Sequence, residues 1–467
     1  MTKSARPAET GWADLLAEGR APRFVLILLG IWLNAADTLV AATIMPSVGR
    51  DLGGHAWFGW ATAGFLLGAI VAGASAGRMS ELLGLRRATV LAGATFAAGC
   101  LLGALAPDMG TFLAGRLVQG VGAGWVAGLS MVAIALLFPQ RHLARVFASA
   151  AAVWGVATLL GPLIGGLFAE AGNWRGVFWL FAGQAVLFCL AAPWLLSGAA
   201  PPRRGARVPG RQLAALAAGV GLVALADILH APWMTVAVVL LGLAVLVGML
   251  RLDARAPVRL LPHRAGDPRT AIGAGYGAMF ALMAASMGLT VYGPALLQIL
   301  HGLSPLWAGY AIAAQAMAWT LAAFCVAGVD GGAPERRCIR AGAVLIAFGV
   351  LALMLTLRDA PLSAVVLSAA VMGAGFGLSS SLMNRRVLAM LVDEERATGA
   401  SAFIAVRQTG GAVGAAIAGA AANVAGFGAA PGVPTAQAAS TWVFMSGLPF
   451  ALMGAWAVWR LTRPAVD

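Results

Sequence analysis

RFVLILLGIWLNAADTLVAATIMP, residues 23–46, is the stretch that decides the fold. As a helix rising 1.5 Å per residue it is about 36 Å long, enough to cross roughly 30 Å of hydrocarbon. After Arg23 its only ionisable side chain is Asp37. A carboxylate at mid-membrane costs about 3 kcal/mol on insertion scales, so it must face protein or water rather than lipid. Asn34 precedes Asp37 by three residues and lies on the same helix face. The stretch therefore predicts a spanning helix with a small polar patch turned into the protein.

The rest of the chain repeats the apolar part of that pattern. Of 467 residues, 60% are hydrophobic and 10% charged, and the mean hydropathy is +0.86. Soluble domains sit near half apolar and a quarter charged. So much apolar surface must face lipid. Further runs of spanning length read as 56–79, 88–106, 110–138, 143–168 and 176–198, then 212–230 and 233–250. The last six are 270–299, 305–328, 340–358, 362–384, 398–425 and 439–460. An all-α membrane protein with about fourteen transmembrane helices is expected. No apolar leader precedes residue 23, so the first span is expected to be its own anchor.

The net charge of +13 comes almost wholly from arginine, Lys3 being the only lysine. Nucleic-acid binders gather such charge on one solvated face; here it falls in short clusters between apolar runs. With the N-terminus in the cytoplasm, the inside segments are 1–22, 80–87, 139–145, 199–211, 251–269, 329–340, 385–396 and 461–467. Outside loops then hold only Arg50, Arg175 and Arg358, while Arg116 and Arg407 lie within spans. The other 26 of 31 basic residues face the cytoplasm or its boundary, as the positive-inside rule requires. Merging 212–250 into one span would turn the second half over and put its arginines outside. Both termini are thus expected in the cytoplasm of a multi-pass protein.

The chain also reads as duplicated. Residues 120–124, GVGAG, are answered by GAGFG at 373–377, and GPLIGG at 161–166 by GGAVGAA at 410–416. Four regions are expected: a cytoplasmic segment 1–22, a six-helix bundle 23–198, a linker with an inserted hairpin 199–268, and a second six-helix bundle 269–467. Parallel repeats of this kind are a known transporter architecture.

The chemistry sits in few residues. Burial disfavours the ionised form of Asp37, which suits a group that must take and release protons. Arg116 in the fourth span keeps its charge anywhere and needs a carboxylate, carbonyls or water. Gln119 and Gly120 share its helix face. An Asp37–Arg116 pair that forms and breaks would be a proton switch; packing glue between helices is the plain alternative. Gly161 and Gly165 form a small-residue stripe. Beside them, Pro162 removes a helix hydrogen bond, and Gly166 completes the motif. In GRMSELLGLRR, residues 77–87, Gly77, Glu81, Gly84, Arg86 and Arg87 form a candidate gating loop. Asn34, Gln119, Phe65, Met283 and Arg407 are candidates for a substrate cavity, with Trp60, Met279 and Met287 beside them. Asp227, in the hairpin, is a weaker coupling candidate. Cys100, Cys189, Cys325 and Cys338 lack metal spacing and read as small core side chains. No P-loop is possible without its lysine, and no HExxH or GxSxG occurs. No enzyme activity, nucleotide, metal or other cofactor is expected.

Together these motifs resemble the major facilitator superfamily, and within it the fourteen-helix drug:proton antiporter branch. DTLVAATIMP, residues 37–46, is similar to that branch's first-span D-x-T-x-V-N-x-A-L-P, with the threonine displaced and the asparagine missing. GRMSELLGLRR resembles the loop G-x-x-x-D-R-x-G-R-R, with Glu81 for aspartate and leucines at Leu82 and Leu85. RLVQGVGAG resembles the fourth-span motif, GPLIGG the antiporter motif, NWRGVFWLF (173–181) the start of span six, and RQTGGAVGAA span thirteen. The resemblance covers residues 23–460. It implies alternating access, with proton binding at Asp37 beside Arg116. The partners implied are a small-molecule substrate, protons and the lipid bilayer of a bacterial-type inner membrane. Export of drug-like, amphipathic or cationic compounds is the leading expectation. Export of one native metabolite such as a siderophore, and proton-coupled uptake, are the alternatives.

Overall fold

A computed structural model describes residues 20–138, 140–196, 208–226, 229, 232–329 and 331–463. Among them every regular element is helical. Six spans were expected in the first bundle and five helices carry them: α1 (Arg20–Leu52), α2 (Phe58–Ala104), α3 (Met109–Leu137), α4 (Gln140–Glu170) and α5 (Arg175–Leu195). The difference lies in α2, in which two helical arms meet at a kink within residues 80–87, the stretch read above as a loop. It breaks only at Gly84, whose φ of 77° and ψ of 152° lie where L side chains rarely go. A short α6 (Gly210–Leu225) and α7 (Pro232–Ala254) follow. The second half comprises α8 (Ala271–His301), α9 (Pro305–Cys325), α10 (Gly332–Thr356), α11 (Leu362–Ala389), α12 (Asp393–Val424) and α13 (Val433–Leu461).

Eleven helices among the described residues are long and apolar enough to cross a membrane. Of the others, α6 has only 16 residues, and α12 dilutes its apolar content with Arg407, glycines and alanines.

The duplication is visible in the packing. A Cβ at Gly120 would lie 2.1 Å from the Phe65 carbonyl oxygen, and one at Gly373 would lie 1.9 Å from that of Gln315. Thus α3 lies backbone to backbone on α2 as α11 lies on α9. Gly122 and Gly375, two residues on, face Phe96 of α2's second arm and Gly342 of α10. Across the seam between halves, α12 meets α2 and α4 meets α9. The α6–α7 hairpin lies over the first of these seams. Leu216 and Val220 of α6 join one apolar cluster with Ala63 and Ile70 of α2 and with Ala412 and Ala416 of α12.

Candidate functional site

Asp37, Arg116 and Gln119 come together from α1 and α3, 2%, 4% and 0% exposed. Arg116 Nη1 donates to Asp37 Oδ2 at 3.0 Å and to Gln119 Oε1 at 2.7 Å. Gln119 Nε2 donates to Asp37 Oδ1 at 2.8 Å. The three side chains close a ring in which each carboxylate oxygen accepts one hydrogen bond. Two neighbours on α2 complete the site. The Arg116 guanidinium stands 4.4 Å over the Phe65 ring, a favourable cation–π contact. The Cys100 sulfur accepts from Gln119 Nε2 at 3.2 Å. Phe65, a candidate for the substrate cavity, is buried beneath the guanidinium.

The local packing explains how the ring is held. Gly120, next to Gln119, brings α3 onto the backbone of Phe65. Gly99, next to Cys100, lets the other arm of α2 approach Gln119, where a Cβ would meet the Gln119 nitrogen at 2.3 Å. The antiporter-type stripe supports α1 from the far side. Gly161 packs on Leu39 and Gly165 on Thr43, two and six residues beyond Asp37, while Gly166 turns to Leu306 of α9. One helix, α4, therefore touches both the Asp37 helix and the opposite half. Pro162 lies within it and touches the space beside Gly309 of α9.

Several contacts join the halves at the end where α1 finishes and α2 begins. Arg50 Nη1 donates to Gln298 Oε1 at 3.3 Å, Asn423 Nδ2 to the Ala56 carbonyl at 2.8 Å, and the Leu306 amide to Glu170 Oε1 at 3.3 Å. The rings of Phe58 and Tyr292 lie 6.1 Å apart, and those of His55 and Phe427 6.3 Å. Within the first half, Asp51 pairs with Arg175 and accepts from Trp174 Nε1 at 3.1 Å.

The remaining candidates are scattered. Asn34 is half-buried on α1, one turn from Asp37. At the opposite end, Glu81 pairs with Arg78 of its own helix at 3.2 Å, while Arg86 and Arg87 are exposed and Gly77 and Gly84 half-buried. Met283 and Arg407 are half-buried on α8 and α12. Asp227 lies outside the described residues. Sequence reasoning set Cys100 aside as packing; its place in the ring depends on the closeness of α2 and α3, for which only the glycines were a signal. The seal of Arg50, Gln298 and the aromatic rings had no signal at all, since its members are hundreds of residues apart.

Comparison with known proteins places this architecture. The model of the family described as Major Facilitator Superfamily matches residues 27–415. A probable multidrug-efflux transporter of Mycobacterium tuberculosis is 30% identical over 443 residues, covering 91% of this chain and 92% of that protein. A probable actinorhodin transporter of Streptomyces coelicolor is 28% identical, over 84% of this chain and 71% of that protein. Among solved structures, a POT family transporter in complex with 5-aminolevulinic acid aligns with a TM-score of 0.68 at 12% identity, over 95% of this chain and 97% of that one. A D-xylose-proton symporter aligns with a TM-score of 0.64 at 17% identity, over 93% and 97%. At such identities the solved structures share the fold alone. The chain is not an enzyme: it belongs to the Major Facilitator Superfamily of membrane transporters.

Proposed function

We propose that the chain exports amphipathic small molecules across the cytoplasmic membrane in exchange for protons. The bundles 23–198 and 269–467 would alternate access to a site between them, with fourteen crossings, both termini inside and the 199–268 region as an accessory hairpin. The mycobacterial relative is a probable multidrug-efflux transporter, which agrees with this direction of transport. The carrying observation is the buried ring of Asp37, Arg116 and Gln119.

The ring is a proton-sensitive lock. Ionised Asp37 compensates the Arg116 charge, and both are out of water. A proton on Asp37 removes that compensation and leaves the guanidinium with Gln119 and the Phe65 face. Breaking a buried pair in this way costs about 3–5 kcal/mol. That is enough to shift a two-state equilibrium by a factor of hundreds or more. The shift would be transmitted through α1 to α4, whose Gly161 and Gly165 rest on it and whose Gly166 holds α9. The end sealed by Arg50–Gln298 and the aromatic rings would be the outer gate. An inward proton supplies about 2.3 kcal/mol per 100 mV.

The test uses purified protein in liposomes with an acidic lumen. Proton release on adding a panel of lipophilic compounds is compared between wild type and Asp37→Asn. Substrate-dependent release that disappears in the variant supports the proposal. Release unchanged in the variant removes Asp37 from coupling, and uptake driven with the proton gradient would reverse the direction assigned.

A further inference from the structure

Arg407 has no counterpart of the Asp37 ring. It lies near the middle of α12, half-buried, and among the described residues its guanidinium makes no hydrogen bond or ion pair. Its helix face is defined by its neighbours. Gly411 and Gly414 follow at i+4 and i+7 and lie on the same side. A Cβ at Gly411 would lie 3.2 Å from Leu66 of α2, 3.7 Å from the Met287 sulfur and 3.9 Å from Met283 of α8. That face therefore looks between the halves. The opposite face, through Ala405, Ala412 and Ala416, packs towards the hairpin. Arg407 thus points away from the hairpin and towards the region that both halves share.

A guanidinium is charged in any protein environment, and a membrane interior does not hold such a charge without a partner cheaply. The acids within reach are already used or far off. Asp37 has both oxygens engaged in its own ring. Asp253 of α7 accepts from the Leu260 and Leu261 amides, and Glu335, the deeply buried acid of the second half, sits in the first turn of α10, 3.9 Å from Arg386. The described interior of the spans therefore carries one cancelled pair and one spare positive charge.

We propose that Arg407 is the receptor for an acidic group of the cargo. This deepens the transport reading given above and rests on it. The ligand class is an organic anion: a carboxylate, sulfonate or phenolate on an apolar body. Bidentate pairing with the guanidinium would hold the anion, and the soft side chains of Met283 and Met287 with Leu66 would hold the body. Leu66 is also the chain neighbour of Phe65, on which Arg116 lies, so cargo and proton would act on adjacent residues of α2. A lipophilic cation would meet a positive charge and no free carboxylate.

The inference is tested by equilibrium binding to the full chain in nanodiscs of zwitterionic phosphatidylcholine. The probes are 2-naphthoate, its neutral methyl ester and 2-naphthyltrimethylammonium. Wild type is expected to bind naphthoate about 10- to 100-fold more tightly than the ester, the yield of one charge-assisted pair. Arg407→Gln is expected to lose that preference and Arg407→Lys to keep part of it. Nanodiscs with phosphatidylglycerol added separate the sources of the anion: weakened naphthoate binding there, in wild type but not in Arg407→Gln, identifies an acidic lipid as the occupant. Equal binding of the three probes by wild type, preference for the ammonium, or no binding at all overturns the proposal without any variant. So does an unchanged preference in Arg407→Gln. Proton release separates the two ideas. Naphthoate binding that needs Arg407 but drives no proton flux retains the receptor and rejects antiport. Proton flux driven by cations and untouched by Arg407→Gln does the reverse.

Discussion

The two halves of the molecule share a skeleton and differ in chemistry. Gly120 on Phe65 corresponds to Gly373 on Gln315, and Gly99 against Gln119 corresponds to Gly349 against Met372. These contacts put Ala369 where the first half has Arg116, Met372 for Gln119 and Val350 for Cys100. All three are buried, at 1% exposure or less. The positions that hold Arg116, Gln119 and Cys100 in the first half are therefore filled by hydrocarbon and a thioether in the second. Close helix contact belongs to the architecture and needs no polar glue, because the second half achieves it without any. On the proposed function, the first half's ring serves as the titratable lock.

The skeleton can be broken symmetrically. Gly120→Val and Gly373→Val each force a side chain into a facing backbone carbonyl. Both are expected to abolish monodisperse protein in detergent, with folded yield down more than tenfold by size-exclusion chromatography. A mild effect in either half would show that the two junctions are not equivalent. The chemistry breaks asymmetrically. Asp37→Ala leaves Arg116 buried and uncompensated, at a cost of about 3–5 kcal/mol. It is expected to lower the thermal unfolding midpoint by several degrees. Adding Arg116→Met should recover most of that loss, because it removes the uncompensated buried charge and fills its space with an apolar side chain. The double variant should still show no substrate-driven proton flux. Cys100→Val copies Val350 and removes only a weak sulfur acceptor. A change below about 1 kcal/mol is expected, with coupling intact.

The smallest effect concerns the helix starts. Asp108 caps α3, its Oδ1 accepting from the Thr111 amide at 2.8 Å; α11 begins at Pro361 with no side-chain cap. That hydrogen bond holds the Asp108 carboxyl below its ordinary value of 3.8. A lowered pKa means that the cap's stabilisation is fully present above that value and is lost as pH falls through the depressed one. Hydrogen exchange at the first turn of α3 should therefore accelerate in strong acid, while the first turn of α11 stays unchanged.

Much of this was legible in the sequence. Apolar runs and arginine placement gave the helices, since both follow directly from the cost of charge in hydrocarbon. The glycine motifs gave the duplicated junctions, because only a missing Cβ permits backbone contact. Asp37, Arg116 and Gln119 stood out as polar groups where none is cheap, and the structure joins them. What was not legible depends on distance in three dimensions. Residues 77–87 read as a connection between two spans, and nothing in them marked how short it is: a kink at Gly84 with helix on either side. Cys100 looks like any small core residue until α2 folds onto α3.

The hairpin laid over the α2–α12 seam has a final consequence. That flank of the molecule is walled off from lipid, whereas the α4–α9 flank presents Leu159 and Leu167, Leu321 and Phe324 uncovered. The protein is therefore lopsided within the plane of the bilayer. A greasy molecule already dissolved among the acyl chains finds a bare junction on one side and a curtain on the other. On the proposed transport reading, a sideways route into the centre would be left to the α4–α9 flank, the α6–α7 pair closing the other.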